Sequence, residues 1–419
     1  MKHATTNVVH VVVTLFALTL SSFAAPPRPQ WPVETLFKTP RTFDASAYAT
    51  NSVNAVFYEG LPYKGRPTRV FAYYGVPEHK PGEKVPGIVL VHGGGGSAFI
   101  RWVKLWNARG YAAISMDTCG CISGNAFGDE QRGHRRHADG GPAGWGGFKQ
   151  LSDPVEDQWM YHAVADVVLG HSFLRSLPDV DPARIGITGI SWGGTLTSIV
   201  VGVDDRFAFG VPVYGCGFLF EPYSSWTANC KSPEDFKLRR AWADMWDPSR
   251  WLPDAKTPLL WVVGTNDTHF SPPSVKNSMA LVKGPRGIAM RVRMRHAHGP
   301  AGENPGEILA FADHWTKNAP SMPNPVKTAR NGRRVTVTYS ADARRLPARA
   351  FLNYTLDDGI WMKREWKTSP AELDSVGYSA SADLPDGTVA WYMNFETKDG
   401  LVASSEVELV ASPGACRQL

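Results

Sequence analysis

The segment from Arg184 to Val201 constrains the fold more than any other part of the chain. A β-branched run, Arg184 to Gly189, leads straight into Gly189-Ile-Ser191-Trp-Gly193-Gly194, and small and apolar residues follow to Val201. A serine bracketed by glycines two residues before and two after belongs on a sharp, strained turn between a strand and a helix. The missing Cβ atoms let the helix pack close against the strand. The strand feeding such a turn is buried, and the serine hydroxyl stands above the sheet at the helix N-terminus. Ser191 is therefore the candidate nucleophile.

The surrounding pattern agrees. Apolar runs predict strands at Arg69–Tyr74, Gly87–His92, Ala112–Asp117, Arg184–Gly189, Gly210–Tyr214, Leu259–Gly264 and Ala289–Arg295. Several are apolar throughout, as parallel strands buried on both faces are. Helical patterns lie between them at Ala98–Arg109, Asp157–Ser176, Gly193–Val201, Pro273–Val282 and Pro305–Lys317. Alternation of this kind predicts an α/β architecture with a mostly parallel sheet flanked by helices. The proline-rich stretch 318–326 reads as a linker. Beyond it, residues 327–419 alternate apolar and polar around turn signals such as Pro385-Asp-Gly387, which predicts an all-β sandwich of immunoglobulin-like size. Few contacts are expected to cross the linker.

Composition is ordinary for a folded protein: 43% hydrophobic, 20% charged and a net charge of +5 over 419 residues. The basic residues form no stripe that would track a phosphate backbone, so nucleic acid is not an expected partner. Residues 1–24 read as an export signal. A weakly basic start precedes the apolar run Val8–Leu20, Ser22-Phe23-Ala24 supplies small residues for cleavage, and prolines follow at once. The expected location is secreted or periplasmic, with no membrane contact after cleavage. Export permits disulfides. Cys216 and Cys230 bracket one loop and are a candidate pair, whereas Cys119 and Cys121 are too close for an easy bridge. No Cys or His spacing suggests zinc, and neither a metal nor another cofactor is expected. Oligomeric state stays open.

Three further segments carry chemistry. His92-Gly-Gly-Gly-Gly96 follows a buried strand, and such a loop can aim backbone N–H groups at an oxyanion. Gly94 and Gly95, with Trp192 after the serine, are the candidate donors. Leu259 to Asp267 is a buried strand ending in a turn, and its position after the serine suits Asp267 as the acid that orients an imidazole. The next strand leads to His296-Ala-His298-Gly299. His298, farther out, is the preferred base, and His296 is left to orient the loop. Two insertions, 118–151 and 216–257, are expected to build the pocket. The first is rich in glycine and carries basic residues. The second holds Phe218, Phe220, Tyr223, Trp226, Trp242, Trp246 and Trp251. Trp226 and Trp246 are candidate substrate contacts, although aromatics in a cap also pack on one another.

Several of these stretches together resemble a known family. His92-Gly-Gly-Gly-Gly96, Gly144-Trp-Gly-Gly147, Asp181-Pro-Ala-Arg-Ile-Gly186, Gly189-Ile-Ser-Trp-Gly-Gly194, Gly264-Thr-Asn-Asp267 and His296-Ala-His-Gly299 are similar to dienelactone hydrolase-related acetylxylan esterases, within the wider α/β-hydrolase superfamily. The resemblance runs from Pro86 to about Trp315, inside the expected catalytic region 25–317, and omits the C-terminal region. It implies the α/β-hydrolase fold, with Ser191 as nucleophile, Asp267 as acid and His298 as base. It also implies an ester substrate, expected to be an acyl group on carbohydrate. A prolyl-oligopeptidase-type peptidase and a feruloyl esterase are the rival enzymes. A binding protein on a catalytically dead hydrolase fold is the rival outside catalysis.

Overall fold

The computed structural model describes residues 27–123, 134–144, 147–221 and 224–410. The expected export signal and Cys416 lie outside them. Nine strands form one sheet in the order β1-β2-β3-β5-β4-β8-β9-β10-β11. They are β1 (Thr42–Asp44), β2 (Asn54–Tyr63), β3 (Arg66–Gly75), β4 (Val85–Val91), β5 (Ala112–Met116), β8 (Val180–Ile190), β9 (Phe209–Val213), β10 (Leu259–Gly264) and β11 (Arg286–Arg291). From β5 to β11 every pairing is parallel. Every residue of β4, β5, β9 and β10 is buried, which is why these strands read as unbroken apolar runs. The first three strands add antiparallel edges, so the sheet is mixed. A short ribbon of β6 (Cys121–Ile122) and β7 (Arg135–Arg136) stands outside the sheet.

Helices α1 (Val33–Leu36), α2 (Ile100–Asn107), α3 (Trp159–Ser176), α4 (Trp192–Val200), α7 (Pro272–Leu281) and α9 (Gly306–Lys317) accompany the sheet. Helix α8 (Pro300–Glu303) follows β11, and α5 (Ser225–Ala228) and α6 (Pro233–Trp246) belong to the insertion after β9. All the long helices expected in the α/β region form within two residues of their predicted limits. Among the described residues no helix is long and apolar enough to cross a membrane.

The C-terminal strands are β12 (Asn324–Asn331), β13 (Arg334–Ser340), β14 (Pro347–Thr355), β15 (Lys367–Asp374), β16 (Ser379–Asp383), β17 (Ala390–Thr397), β18 (Val402–Ser404) and β19 (Glu408–Leu409). All pair antiparallel. Strand β15 belongs to two layers: Lys367–Ala371 pairs with β14, and Glu372–Asp374 pairs with β16. The layers enclose a core of Val335, Val337, Leu352, Met393 and Phe395, with the Tyr339 and Phe395 rings 4.8 Å apart across it. Two details differ from the sequence reading. Strand β12 starts inside the expected linker. Strand β15, with Pro370 in its middle and mostly exposed or half-buried side chains, carries no apolar signal.

The two parts of the chain share a core. Trp361, Trp366 and Tyr392 are buried with the α/β residues. Strand β11, last in the nine-stranded sheet, is covered by the C-terminal part. The Met290 N–H donates to Ser404 Oγ at 2.8 Å, and Asn394 Nδ2 donates to the Met290 carbonyl at 3.2 Å. The Val402 N–H donates to Glu307 Oε1 at 2.9 Å. The expectation of few contacts across the linker does not hold, because the edge strand β11 would otherwise present unpaired backbone groups.

The turn between β8 and α4 depends on missing side-chain atoms. A Cβ on Gly193 would lie 2.0 Å from the Val91 carbonyl oxygen, and one on Gly189 would lie 2.1 Å from the Gly193 carbonyl oxygen. Both obstacles are backbone, which has nowhere to move. Gly193→Ala should therefore destabilise the fold by about 1–3 kcal/mol or more. A lower denaturation midpoint in urea checks this.

Candidate active site

Four loops meet at the carboxyl ends of the parallel strands β4, β8, β10 and β11, the usual place for a ligand site in a sheet of this kind. Ser191 caps α4 with φ 59° and ψ −117°, a left-handed backbone that an L-residue adopts only under constraint. Its N–H donates to the Val213 carbonyl at 2.9 Å, and its carbonyl accepts the Thr195 N–H at 2.9 Å. The serine is thus held from both sides.

Asp267 is buried at the end of β10. Its Oδ1 accepts the N–H groups of His269 and Phe270, each at 2.8 Å, and its Oδ2 lies 2.7 Å from His296 Nδ1. The His296 ring stacks on Tyr214 with centroids 4.6 Å apart. The Tyr214 hydroxyl donates to the Arg295 carbonyl at 2.7 Å. Burial, and then the charge of Asp267, push the Tyr214 phenol well up from its ordinary range, so it stays a neutral donor. Ligand atoms of Asp267, His269 and His296 gather within 4.8 Å of one another, close enough for a metal ion. Yet both Asp267 oxygens are already engaged by protein donors, so the group is satisfied as a hydrogen-bonded carboxylate and imidazole. Burial first, then neighbouring His296, lowers the His269 pKa and keeps that ring neutral.

The expectation that His298 would meet Asp267 is corrected here. Strand β11 ends at Arg291, four residues before the expected limit. Arg293 takes a left-handed φ of 52°, and its N–H donates to Thr265 Oγ1 at 3.0 Å. The turn puts His296 already on the loop, beside Asp267. His298 goes elsewhere. Its Nε2 accepts the Gly93 N–H at 3.0 Å, and its Nδ1 lies 3.1 Å from Glu303 Oε1.

Around the glycine loop, a cavity of about 190 Å³ is bordered by Gly93, Gly94, Gly95, Cys119, Trp159 and Trp192. A Cβ on Gly94 would come within 2.7 Å of the Trp192 ring, so loop and helix start are in contact. Gly95 has φ +75°. The candidate donors Gly94, Gly95 and Trp192 therefore share one cavity. A second cavity, of about 420 Å³, has Asp267 and Ser271 on one wall and Asp358, Trp361 and Met362 of the C-terminal part on the other. Beside it, Asn266 Nδ2 donates to the carbonyls of Met362 and Arg364 at 3.2 and 2.7 Å. The turn that carries Asp267 is thus gripped by the loop between β14 and β15, which sequence reasoning missed. Consecutive Asn266 and Asp267 gave no sign of a partner so far along the chain.

The insertion 216–257 packs its aromatics against the α/β region, with Trp242 on Phe148 and Trp192, and Trp246 and Trp251 on Trp31. Trp246 is wholly buried, stacks on Trp251 at 6.3 Å and donates from Nε1 to Gln158 Oε1 at 2.8 Å. It is a core residue, which corrects its candidacy as a substrate contact. Trp226 remains near the site, 5.6 Å from Trp192 and 5.4 Å from His269 by ring centroids. Tyr223 lies outside the described residues. Cys119, Cys121, Cys216 and Cys230 are free, so the candidate 216–230 bridge is not formed.

This sheet order and serine turn give the chain the α/β-hydrolase fold. Two family models match parts of it: the acetyl xylan esterase family over residues 39–222, and the prolyl oligopeptidase family over residues 144–321. The chain is acetyl xylan esterase-like in fold. It superposes on the acetyl xylan esterase of Paenibacillus sp. R4 with a TM-score of 0.51, at 19% identity over 67% of this chain and 92% of that one. For acetyl xylan esterase 1 of Thermoanaerobacterium sp. JW/SL YS485 the TM-score is 0.50, at 17% identity over 68% of this chain and 91% of that one. An uncharacterised peptidase of Bacillus subtilis (strain 168), YuxL, is 26% identical over 208 residues, 46% of this chain and 27% of the relative. The match thus spans about a quarter of that protein's length.

Two substitutions separate support from contact. Trp246→Ala should cost about 3–5 kcal/mol, as loss of a buried tryptophan does, and a fall in melting temperature checks it. Asn266→Ala should leave the melting temperature within a few degrees but lower kcat on a small aryl ester by about tenfold, since it releases the Asp267 turn. Unchanged turnover would show that the grip does not matter.

Proposed function

We propose that this chain is an exported esterase that removes acyl groups from carbohydrate, with Ser191 as nucleophile, His296 as base and Asp267 as acid. The observation that carries the assignment is the 2.7 Å contact between Asp267 Oδ2 and His296 Nδ1, on the loops after β10 and β11 at the same end of the parallel sheet as the Ser191 turn. Asp267 fixes the proton on Nδ1, which leaves Nε2 basic. Nε2 takes the Ser191 proton as the oxygen attacks the acyl carbonyl. The imidazolium, stabilised by the carboxylate, returns the proton to the departing alcohol. Water then repeats the sequence in reverse and frees the acid. The N–H groups of Gly94 and Trp192, with Gly95 next to them, are the proposed oxyanion donors. Trp226 is the proposed apolar wall. The carbohydrate ester rests on the family match and on the names of the two superposed esterases. Export rests on the pattern of residues 1–24.

The prolyl oligopeptidase match favours a second reading, a peptidase with the same triad. Turnover of 4-nitrophenyl acetate and of acetylated xylan fragments, without cleavage of a prolyl anilide, is the expected result; the opposite preference selects the peptidase. Ser191→Ala and His296→Ala should each lower kcat by at least about a thousandfold while the protein stays folded. Asp267→Asn should lower it about a hundredfold or more. A His296→Ala enzyme within tenfold of wild type would remove this histidine from the mechanism.

A further inference from the structure

His298 is the second histidine of the motif, and the proposed triad does not use it. It is partly buried, in a chain of partners drawn from distant segments. Arg101 Nη2 and Nε donate to Glu303 at 2.7 and 3.2 Å. Glu303 Oε1 lies 3.1 Å from His298 Nδ1, and His298 Nε2 accepts the Gly93 N–H at 3.0 Å. The ring sits between Phe99 and Trp102, with centroids 4.9 and 5.8 Å away. Burial alone would raise the Glu303 carboxyl, but the hydrogen bonds from His298 and Arg101 hold it below its ordinary value. The carboxylate thus accepts, Nδ1 of His298 carries the proton, and Nε2 is the acceptor.

The other end of the same glycine is held as well. The Gly93 carbonyl lies 2.8 Å from His92 Nδ1 and accepts the Gly96 N–H at 3.0 Å. The Thr118 N–H donates to His92 Nε2 at 3.0 Å, so the proton of His92 is on Nδ1. Burial lowers the pKa of His92 and keeps it neutral. Two histidines therefore grip Gly93, one at its N–H and one at its carbonyl. No described peptide is cis. Across a trans amide the carbonyl and the next N–H point in opposite directions. With the Gly93 oxygen turned to His92, the Gly94 N–H faces away from it. A Cβ on Gly93 would lie 3.2 Å from Ser191 Cβ and 3.4 Å from His298 Nε2, so the gripped peptide adjoins the nucleophile.

We propose that His298 is a positioning residue: by accepting the Gly93 N–H it fixes the His92–Gly93 peptide, while His92 holds the Gly93–Gly94 peptide by its carbonyl, and the two grips together set the backbone at Gly93 so that the Gly94 N–H serves the oxyanion. This rests on the reading of Ser191 as nucleophile. A base has to gain a proton in every cycle. His298 cannot gain one on Nε2 without setting two donors, its own N–H and that of Gly93, against each other. Its hydrogen bonds therefore suit a fixed neutral ring, and His92 acts as its counterpart.

The test compares His298→Ala with His298→Gln, whose side-chain amide oxygen reaches about as far as Nε2 and keeps an acceptor. On 4-nitrophenyl acetate, His298→Ala should lower kcat by about 10²-fold, within the range for losing one oxyanion donor, with KM changed less than about threefold. His298→Gln should recover to within about tenfold of wild type. Equal losses of a thousandfold or more in both would make His298 a base and overturn the proposal, as would an alanine variant that is folded and within threefold of wild type. If the alanine variant does not fold, the glutamine variant decides alone: a loss greater than about tenfold overturns the proposal. Ser191→Ala, run alongside, tests the underlying reading separately. An active alanine variant there removes the nucleophile, whatever His298 does.

Discussion

The close approach of helix α4 to the sheet governs this molecule. Gly193 lets the helix start against the Val91 carbonyl, and Gly189 lets strand β8 lie against the Gly193 carbonyl, where no side chain fits. That contact forces Ser191 into a left-handed backbone and places it beside the glycine loop that follows β4. Strands β4 and β8 are neighbours in the sheet, so the loop after one and the turn after the other are neighbours too. Nucleophile and candidate oxyanion donors thus come together through strand order. Backbone N–H groups placed in this way need no reorganisation as charge develops, and this is the source of their catalytic value.

Sequence reading recovered the features that depend on local chemistry. Fully buried strands such as Leu259–Gly264 showed their limits because nothing polar interrupts them. The serine turn was legible because its glycines answer a steric demand within five residues. The expectation that His298 meets Asp267 failed for a nonlocal reason. Ala289 to Arg295 looks like one strand, and a strand of that length would leave only His298 clear on a loop. The chain instead turns at Arg293, whose N–H is taken by Thr265 of the neighbouring loop. Strand length here is set by a partner some thirty residues away, which no periodicity reveals. Trp246 failed in the opposite sense. An aromatic in a cap reads equally as contact or core, and only its stacking on Trp251 and its bond to Gln158 decide for the core.

The C-terminal sheet was legible as strands but not as part of the site. Its alternation predicts a self-contained sandwich, and most of its core is its own. The loop from Asp357 to Arg364 departs from that pattern. Trp361 turns toward the α/β core, and the Arg364 guanidinium lies 4.0 Å over its ring while donating to the Gly359 and Asp358 carbonyls. The loop is held as a rigid strap, and its free carbonyls close on Asn266. A cation stacked on an aromatic face and hydrogen-bonded inside its own loop is stiffer than either contact alone.

Two segments thus brace the proposed triad, one through a side chain and one through backbone. On the acid side, carbonyls of the strap hold the side chain that precedes Asp267. On the nucleophile side, His92 holds the peptide that precedes Gly94 by its carbonyl, and His298 holds the peptide before that by the Gly93 N–H. A side-chain contact fixes one rotamer, whereas a grip on a peptide fixes a plane and so the direction of an N–H. Direction is what an oxyanion donor needs, because its hydrogen bond weakens steeply once the angle departs from linear. This gives a physical reason for two histidines in His296-Ala-His298. In the proposed mechanism one changes its protonation state during turnover, and the other keeps its own so that the loop stays aimed. The two proposed tasks set opposite demands on a single ring, and the two rings meet separate carboxylates, Asp267 for His296 and Glu303 for His298.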